Sequence, residues 1–173
     1  MSRLPAPQMR RFAMPMFAVL VVVSAAFILA TVDGLPGVVA SHFGPGSGPN
    51  GWMVRSDYLI WMLILALVAP CLIVLLIAGL PRIAPRLLNL PHRAYWLAEE
   101  RRADTLATLL AFACWQGSLL TLFAAGLHLV LLEANRVTPP RLSVGSLSTL
   151  LVLFVAAMLA WTAALYARFR TMR

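Results

Sequence analysis

Long apolar runs alternate with short polar segments along this chain, and four of the runs can cross a bilayer. They fall at about 12–31, 58–80, 106–132 and 145–167, and about 20 residues suffice at a helical rise of 1.5 Å per residue. The pattern predicts an all-α, polytopic membrane protein of four transmembrane helices. It leaves no second domain, so 1–173 reads as one membrane domain. The third run, about 27 residues long, overshoots the hydrocarbon and must tilt or project beyond it. Two stretches interrupt the apolar pattern. Residues 32–57 are rich in Pro and Gly and predict an irregular but structured outer loop. Residues 81–105 mix Leu, Tyr and Trp with Arg and predict an interfacial connection. Pro70, inside the second run, should kink it or lie near a bend that packing already forces.

Composition sharpens the class. The chain is 61% hydrophobic with a mean hydropathy of +0.86, against about 45–50% apolar for a soluble domain. All fourteen basic residues are arginine. Arg3, Arg10 and Arg11 precede the first run, Arg82, Arg86, Arg93, Arg101 and Arg102 lie in the middle connection, and Arg168, Arg170 and Arg173 follow the fourth. Only Arg55, Arg136 and Arg141 lie in the other two connections. Eleven against three, by the positive-inside rule, puts both termini and the middle connection in the cytoplasm. The first run exceeds the 7–15 residues of a signal-peptide core, so it reads as an uncleaved anchor. A net charge of +8 would suit a nucleic-acid partner, but the arginines flank spans and no basic, aromatic-studded soluble segment exists. The bilayer is the expected partner, and nucleic acid is not.

Few residues point to chemistry. Cys71 and Cys114 lie inside runs with no metal-ligand or redox spacing and read as apolar filler. No nucleophile–base pair, HExxH or phosphate-cradling loop occurs, so neither an enzyme nor a cofactor or metal site is expected. The third run carries a stripe of Cys114, Ser118, Thr121, Ala125 and His128. Steps of four and three hold these on one helix face, which should point inward because polar groups in hydrocarbon need partners. His128 would lie roughly 33 Å along that helix, near the outer surface, with Glu133 beyond it. Gln116, near the midplane, is expected to hydrogen-bond a neighbouring helix. Small residues predict helix contacts: Ala113 and Gly117 in the third run, and Ala156, Ala160 and Ala164 in the fourth. Those alanines serve either packing within the monomer or a homodimer seam.

The outer loop reads Leu35-Pro36-Gly37-Val38-Val39-Ala40-Ser41-His42-Phe43-Gly44, then Gly48-Pro49-Asn50-Gly51-Trp52. This stretch resembles the DUF1648 family of bacterial membrane proteins, whose loop after the first span runs Leu-Pro, His-Phe or His-Trp, Gly, then Pro-Asp-Gly-Trp. Here Pro49-Asn50 replaces Pro-Asp, and Val54-Arg55 stands where a Ser-Lys-like pair is expected. The middle connection adds a second likeness, Asn89-Leu90-Pro91-His92-Arg93-Ala94-Tyr95-Trp96-Leu97-Ala98 followed by Glu99-Glu100-Arg101-Arg102. The resemblance implies kinship with the N-terminal part of a toxin-immunity protein that holds a repressor at the membrane. That protein has spans this chain lacks.

Two surfaces follow as candidates. In the outer loop, His42 and Asn50 either pin the loop as a cap or join His128, Trp52 and Glu133 in a ligand site. Asp33 and Asp57 bracket the loop and are expected to pair with Arg55 or headgroups. In the middle connection, Tyr95, Trp96, Arg93, Arg101 and Arg102 either rest on lipid or dock a cytoplasmic protein partner, with Pro91 opening a short helix. The leading expectation is a non-enzymatic sensing or immunity-like protein that binds a partner. The alternative is a small transporter or an accessory subunit of one, against which stands the lack of a charged residue in mid-span.

Overall fold

The computed structural model describes residues 6–172, so Arg3 and Arg173 of the arginine pattern lie outside the described residues. Six helices and one β-hairpin build it: α1 (Ala6–Thr31), β1 (Val38–Phe43), β2 (Pro49–Val54), α2 (Arg55–Leu63), α3 (Ala69–Ile83), α4 (Arg93–Trp96), α5 (Glu99–Asn135) and α6 (Val144–Phe169). Four stretches are long and apolar enough to cross a membrane: Arg10–Gly34, Arg55–Ile83, Glu99–Asn135 and Val144–Phe169. Each contains the corresponding apolar run, extended by up to one or two turns where polar residues continue the helix.

The second of these stretches is two helices fused through a π turn at Ile64–Val68. Pro70 is the cause. It has no N–H to give the carbonyl four residues back, which belongs to Ala66. Thr121 Oγ1, from α5, donates to that carbonyl at 3.1 Å. The freed acceptor in apolar surroundings is thus satisfied by a neighbouring helix.

α5 is the hub and packs against α1, α3 and α6. Its 37 residues span about 55 Å, nearly twice the hydrocarbon thickness of about 30 Å. Glu99 and Glu100 occupy its first turn, where carboxylates favour the positive end of the helix dipole. The short helix expected after Pro91 therefore ends at Trp96, and a separate long helix begins at Glu99. Ala113 and Gly117 are buried as expected. A methyl group on Gly117 would lie 2.7 Å from Phe17 Cε2 and 2.8 Å from Val74 Cγ2, so α1 and α3 both close on α5 at this point.

α6 is peripheral, with none of its apolar window buried. It touches α5 through Phe154, which stacks on Phe123, and through Trp161, whose Nε1 donates to Phe112 O at 2.9 Å. Ala156, Ala160 and Ala164 are exposed. Of the two uses expected for that ladder, packing within the monomer is not realised. Aromatic contacts instead turn the opposite side of α6 towards α5.

The loop at 32–57 is ordered, not irregular. β1 and β2 pair antiparallel, Val38 opposite Val54 and Ala40 opposite Trp52, with a bulge around His42. The reversal is a tight turn, Ser47 N to Gly44 O at 3.1 Å. Pro45 and Gly46, the latter at φ +89°, take the positions that a type II turn requires of them. Val39, Phe43 and Met53 pack down onto a core of Ile28, Val32, Leu35, Tyr58, Met62 and Leu131. Burial alternates along β2, whereas β1 buries both Val39 and Ala40.

Candidate functional site

Two constellations lie at the hairpin end of the bundle. The first is sealed. His128 is fully buried and held at both ring nitrogens. Thr31 Oγ1 donates to Phe27 O at 2.6 Å, so its oxygen is left to accept from His128 Nε2–H at 2.9 Å. Nδ1 then accepts from the Tyr58 hydroxyl at 2.8 Å. One tautomer of the uncharged ring satisfies the whole chain. Phe27 stands edge-on to the imidazole, ring centroids 5.4 Å apart. The arrangement ties α1, α2 and α5 together with no polar atom to spare. Cys114, Ser118 and Thr121 are also buried and Ala125 is half-buried, so the stripe faces inward as its spacing requires.

The second constellation is open. His42, Asn50 and Trp52 are all exposed on the hairpin; His42 Nδ1 lies 3.1 Å from Ser41 Oγ. Gly51 opposes His42 so closely that a Cβ there would lie 2.9 Å from the histidine's own. Trp52, Val38 and Val54 are each more than half exposed and form an apolar ridge on the outward face. Glu133 is exposed near the end of α5. Among the described residues no hydrogen bond joins His42, Asn50, Trp52 or Glu133 to His128, so the five residues expected to share a site are divided between core and surface. No group of three His, Cys, Asp or Glu converges among the described residues.

The hairpin is held by Asn135 and Leu142, which sequence reasoning missed, and by Arg55, which it paired with Asp33. Asn135, in the last turn of α5, accepts from Ala40 N at 2.9 Å and donates to Ala40 O at 3.0 Å. Its carboxamide thus imitates one residue of a third strand. Arg55 Nη1 donates to Asp33 O and Leu35 O, both at 3.1 Å, with the Asp33 carboxylate 3.7 Å away. Leu142 N donates to Ser47 O at 3.0 Å, fastening the turn to the connection before α6. Arg55 was legible as a partner of Asp33. Asn135 carried no signal, since an Asn at a helix end ordinarily reads as a cap. The pinning role expected of His42 and Asn50 belongs to Asn135 and Arg55. Asp57 has Ser56 as its hydrogen-bond partner, at 3.4 Å.

At the opposite end the middle connection folds under the bundle. Trp96 is 5% exposed, its Nε1 donates to Phe169 O at 2.9 Å, and its ring meets Phe169 edge-on. It is unavailable to lipid or a partner, because the end of α6 closes over it. Tyr95 is half-buried with Arg101 4.0 Å above its ring. Arg93 Nη1 donates to Arg86 O at 2.6 Å, and Arg102 is exposed. Asp104 joins three helices, 2.6 Å from Arg10 of α1 and 3.4 Å from Arg168 of α6. Gln116 Oε1 is buried without a hydrogen-bond partner, so the expected bond to a neighbouring helix is not made by that atom.

No family model, curated protein or solved structure matches this chain.

Proposed function

We propose that this chain is a non-enzymatic membrane protein of the bacterial cytoplasmic membrane whose hairpin is a rigid recognition element. On this reading both termini and the 81–105 connection face the cytoplasm, and the hairpin faces outward. The arginine asymmetry supports that orientation. The observation that carries the reading is the contrast between the hairpin's bracing and its face. Asn135 and Leu142 fix its backbone from other segments, and Arg55 ties the end of β2 to the chain before β1. Yet His42, Asn50 and Trp52 remain exposed, and a tryptophan beside a histidine and an amide is the composition of a contact surface. The same residues carry the likeness to DUF1648 proteins, which favours sensing or immunity-like binding over transport. The transporter alternative draws no support from the buried polar groups: His128 and Tyr58 satisfy each other instead of lining a path.

A photoreactive amino acid at Trp52, activated in intact cells, tests this. A discrete adduct, lost when His42 and Asn50 are both changed to Ala while protein abundance holds, is the expected result. Adducts to lipid alone, on protein shown to be folded, would remove the hairpin from consideration as a recognition surface.

A further inference from the structure

The elbow between α3 and α4 has two faces. Leu88 and Leu90 pack inward against Trp96, Leu109 and Phe169. Ile83 and Leu87 point away: Ile83 is 83% exposed, the highest value among the large apolar side chains described, and Leu87 is 68% exposed. Between Pro81 and Ala98 the chain carries Arg82, Arg86 and Arg93 and no acidic residue. Of the nearby carboxylates, Asp104 is held by Arg10 and Arg168 and Glu100 by Arg101, while Glu99 is exposed and bridges to none of these arginines among the described residues. Among the described residues no salt bridge reaches Arg82, Arg86 or Arg93, so the elbow's positive charge is uncompensated within the chain.

The backbone that presents these groups is fixed. A 3-10 turn at Pro85–Leu87 is closed by Leu87 N to Ala84 O at 3.0 Å. His92 adopts left-handed geometry at φ +53°, and its Nε2 lies 3.2 Å from Arg170 O. Ile83 is the last residue of a membrane-crossing helix, so the exposed pair lies within about one turn of the hydrocarbon boundary.

From this geometry we infer that the elbow is a docking surface for anionic phospholipid. Ile83 and Leu87 enter the acyl–headgroup boundary, and the guanidinium groups of Arg82, Arg86 and Arg93 hold headgroup phosphates. A planar guanidinium matches phosphate oxygens two at a time. Apolar side chains surrounded by unpaired arginines suit the boundary layer, which offers carbon and negative charge within a few ångströms. An acidic segment of a protein partner would satisfy the arginines, but nothing brings it to the depth at which Ile83 and Leu87 emerge. This inference rests on the membrane-crossing helices and not on the role of the hairpin.

The full-length protein, purified in detergent, is titrated with short-chain phosphatidylglycerol and, separately, phosphatidylcholine. Phosphatidylglycerol should bind more tightly. Near an anionic surface each arginine is worth roughly fivefold in affinity, so R82Q/R86Q/R93Q should weaken phosphatidylglycerol binding on the order of a hundredfold. The control R136Q/R141Q, in the connection before α6 at the other end of the bundle, should change it less than about threefold, below one arginine's worth. Because Arg82 and Arg93 also bond backbone carbonyls, those of Ala78 and Arg86, R86Q is run beside the triple variant. It keeps both bonds and should lose about fivefold. Equal affinity for the two lipids, or equal losses in elbow and control variants that remain monodisperse, overturns the proposal. So does capture of an acidic peptide by the elbow with no preference for either lipid.

Discussion

Tyr58, His128 and Thr31 form a chain of three hydrogen bonds ending on Phe27 O, and each donor has one acceptor. Removing the first link should therefore be felt. Tyr58→Phe leaves His128 Nδ1 without a donor in a dry core, an expected loss of about 1–3 kcal/mol, checked by thermal unfolding in detergent. Asn135→Ala acts elsewhere. It strips both partners from the Ala40 backbone, so hydrogen exchange over 38–54 should accelerate at least about tenfold, one bond's worth, while exchange in α5 below Leu131 is unchanged. His128 was identifiable from its place on the inward stripe of α5. Its partners were not, because Thr31 and Tyr58 end one span and begin another, with 26 intervening residues whose path the sequence leaves open.

The helices make contacts that spacing announces and contacts that it does not. Gly117 belongs to the first kind: small residues in an apolar run mark a close approach. Gly117→Val would drive a branched side chain into Phe17 and Val74. Overpacking of this kind costs about 1–3 kcal/mol, and the expected outcome is a lower thermal midpoint with loss of monodisperse protein on size exclusion. The alanine ladder of α6 shows the limit of the same rule. Ala156, Ala160 and Ala164 satisfy the pattern as well as Ala113 and Gly117 do, yet they remain exposed. Spacing specifies that a face is smooth; which helix covers it depends on where the aromatic side chains of the other face find partners. The hairpin is a further case. Prolines and glycines argued for irregular chain, but Pro45 and Gly46 sit where a turn needs them and strands form on either side.

At the scale of the whole molecule the question is which end faces which compartment. Arginine placement predicts that the hairpin and the chain ends lie on opposite sides of the membrane. With Cys71 and Cys114 replaced by Ala, a cysteine at Ser56 should react with a membrane-impermeant maleimide added to intact cells, and one at Thr171 should react only after lysis. The reverse pattern would invert the protein and move its candidate recognition face to the cytoplasm. The residues that the sequence grouped into two candidate surfaces lie at opposite ends of the bundle, and two of them are buried. Trp96 and His128 are each drawn into the core by a hydrogen bond to another helix.

The pattern of apolar and polar positions alone determined the four long apolar helices, their approximate limits and the inward face of α5. These depend on how each stretch of chain partitions between water and lipid, a property local to that stretch. The three-dimensional packing decided that Asn135 serves as a surrogate strand, that Thr121 compensates Pro70, that Phe169 covers Trp96 and that the alanines of α6 face outward. Each of these joins residues far apart along the chain through the direction of a donor or the fit of a ring, and such directions exist only once the helices are set beside one another.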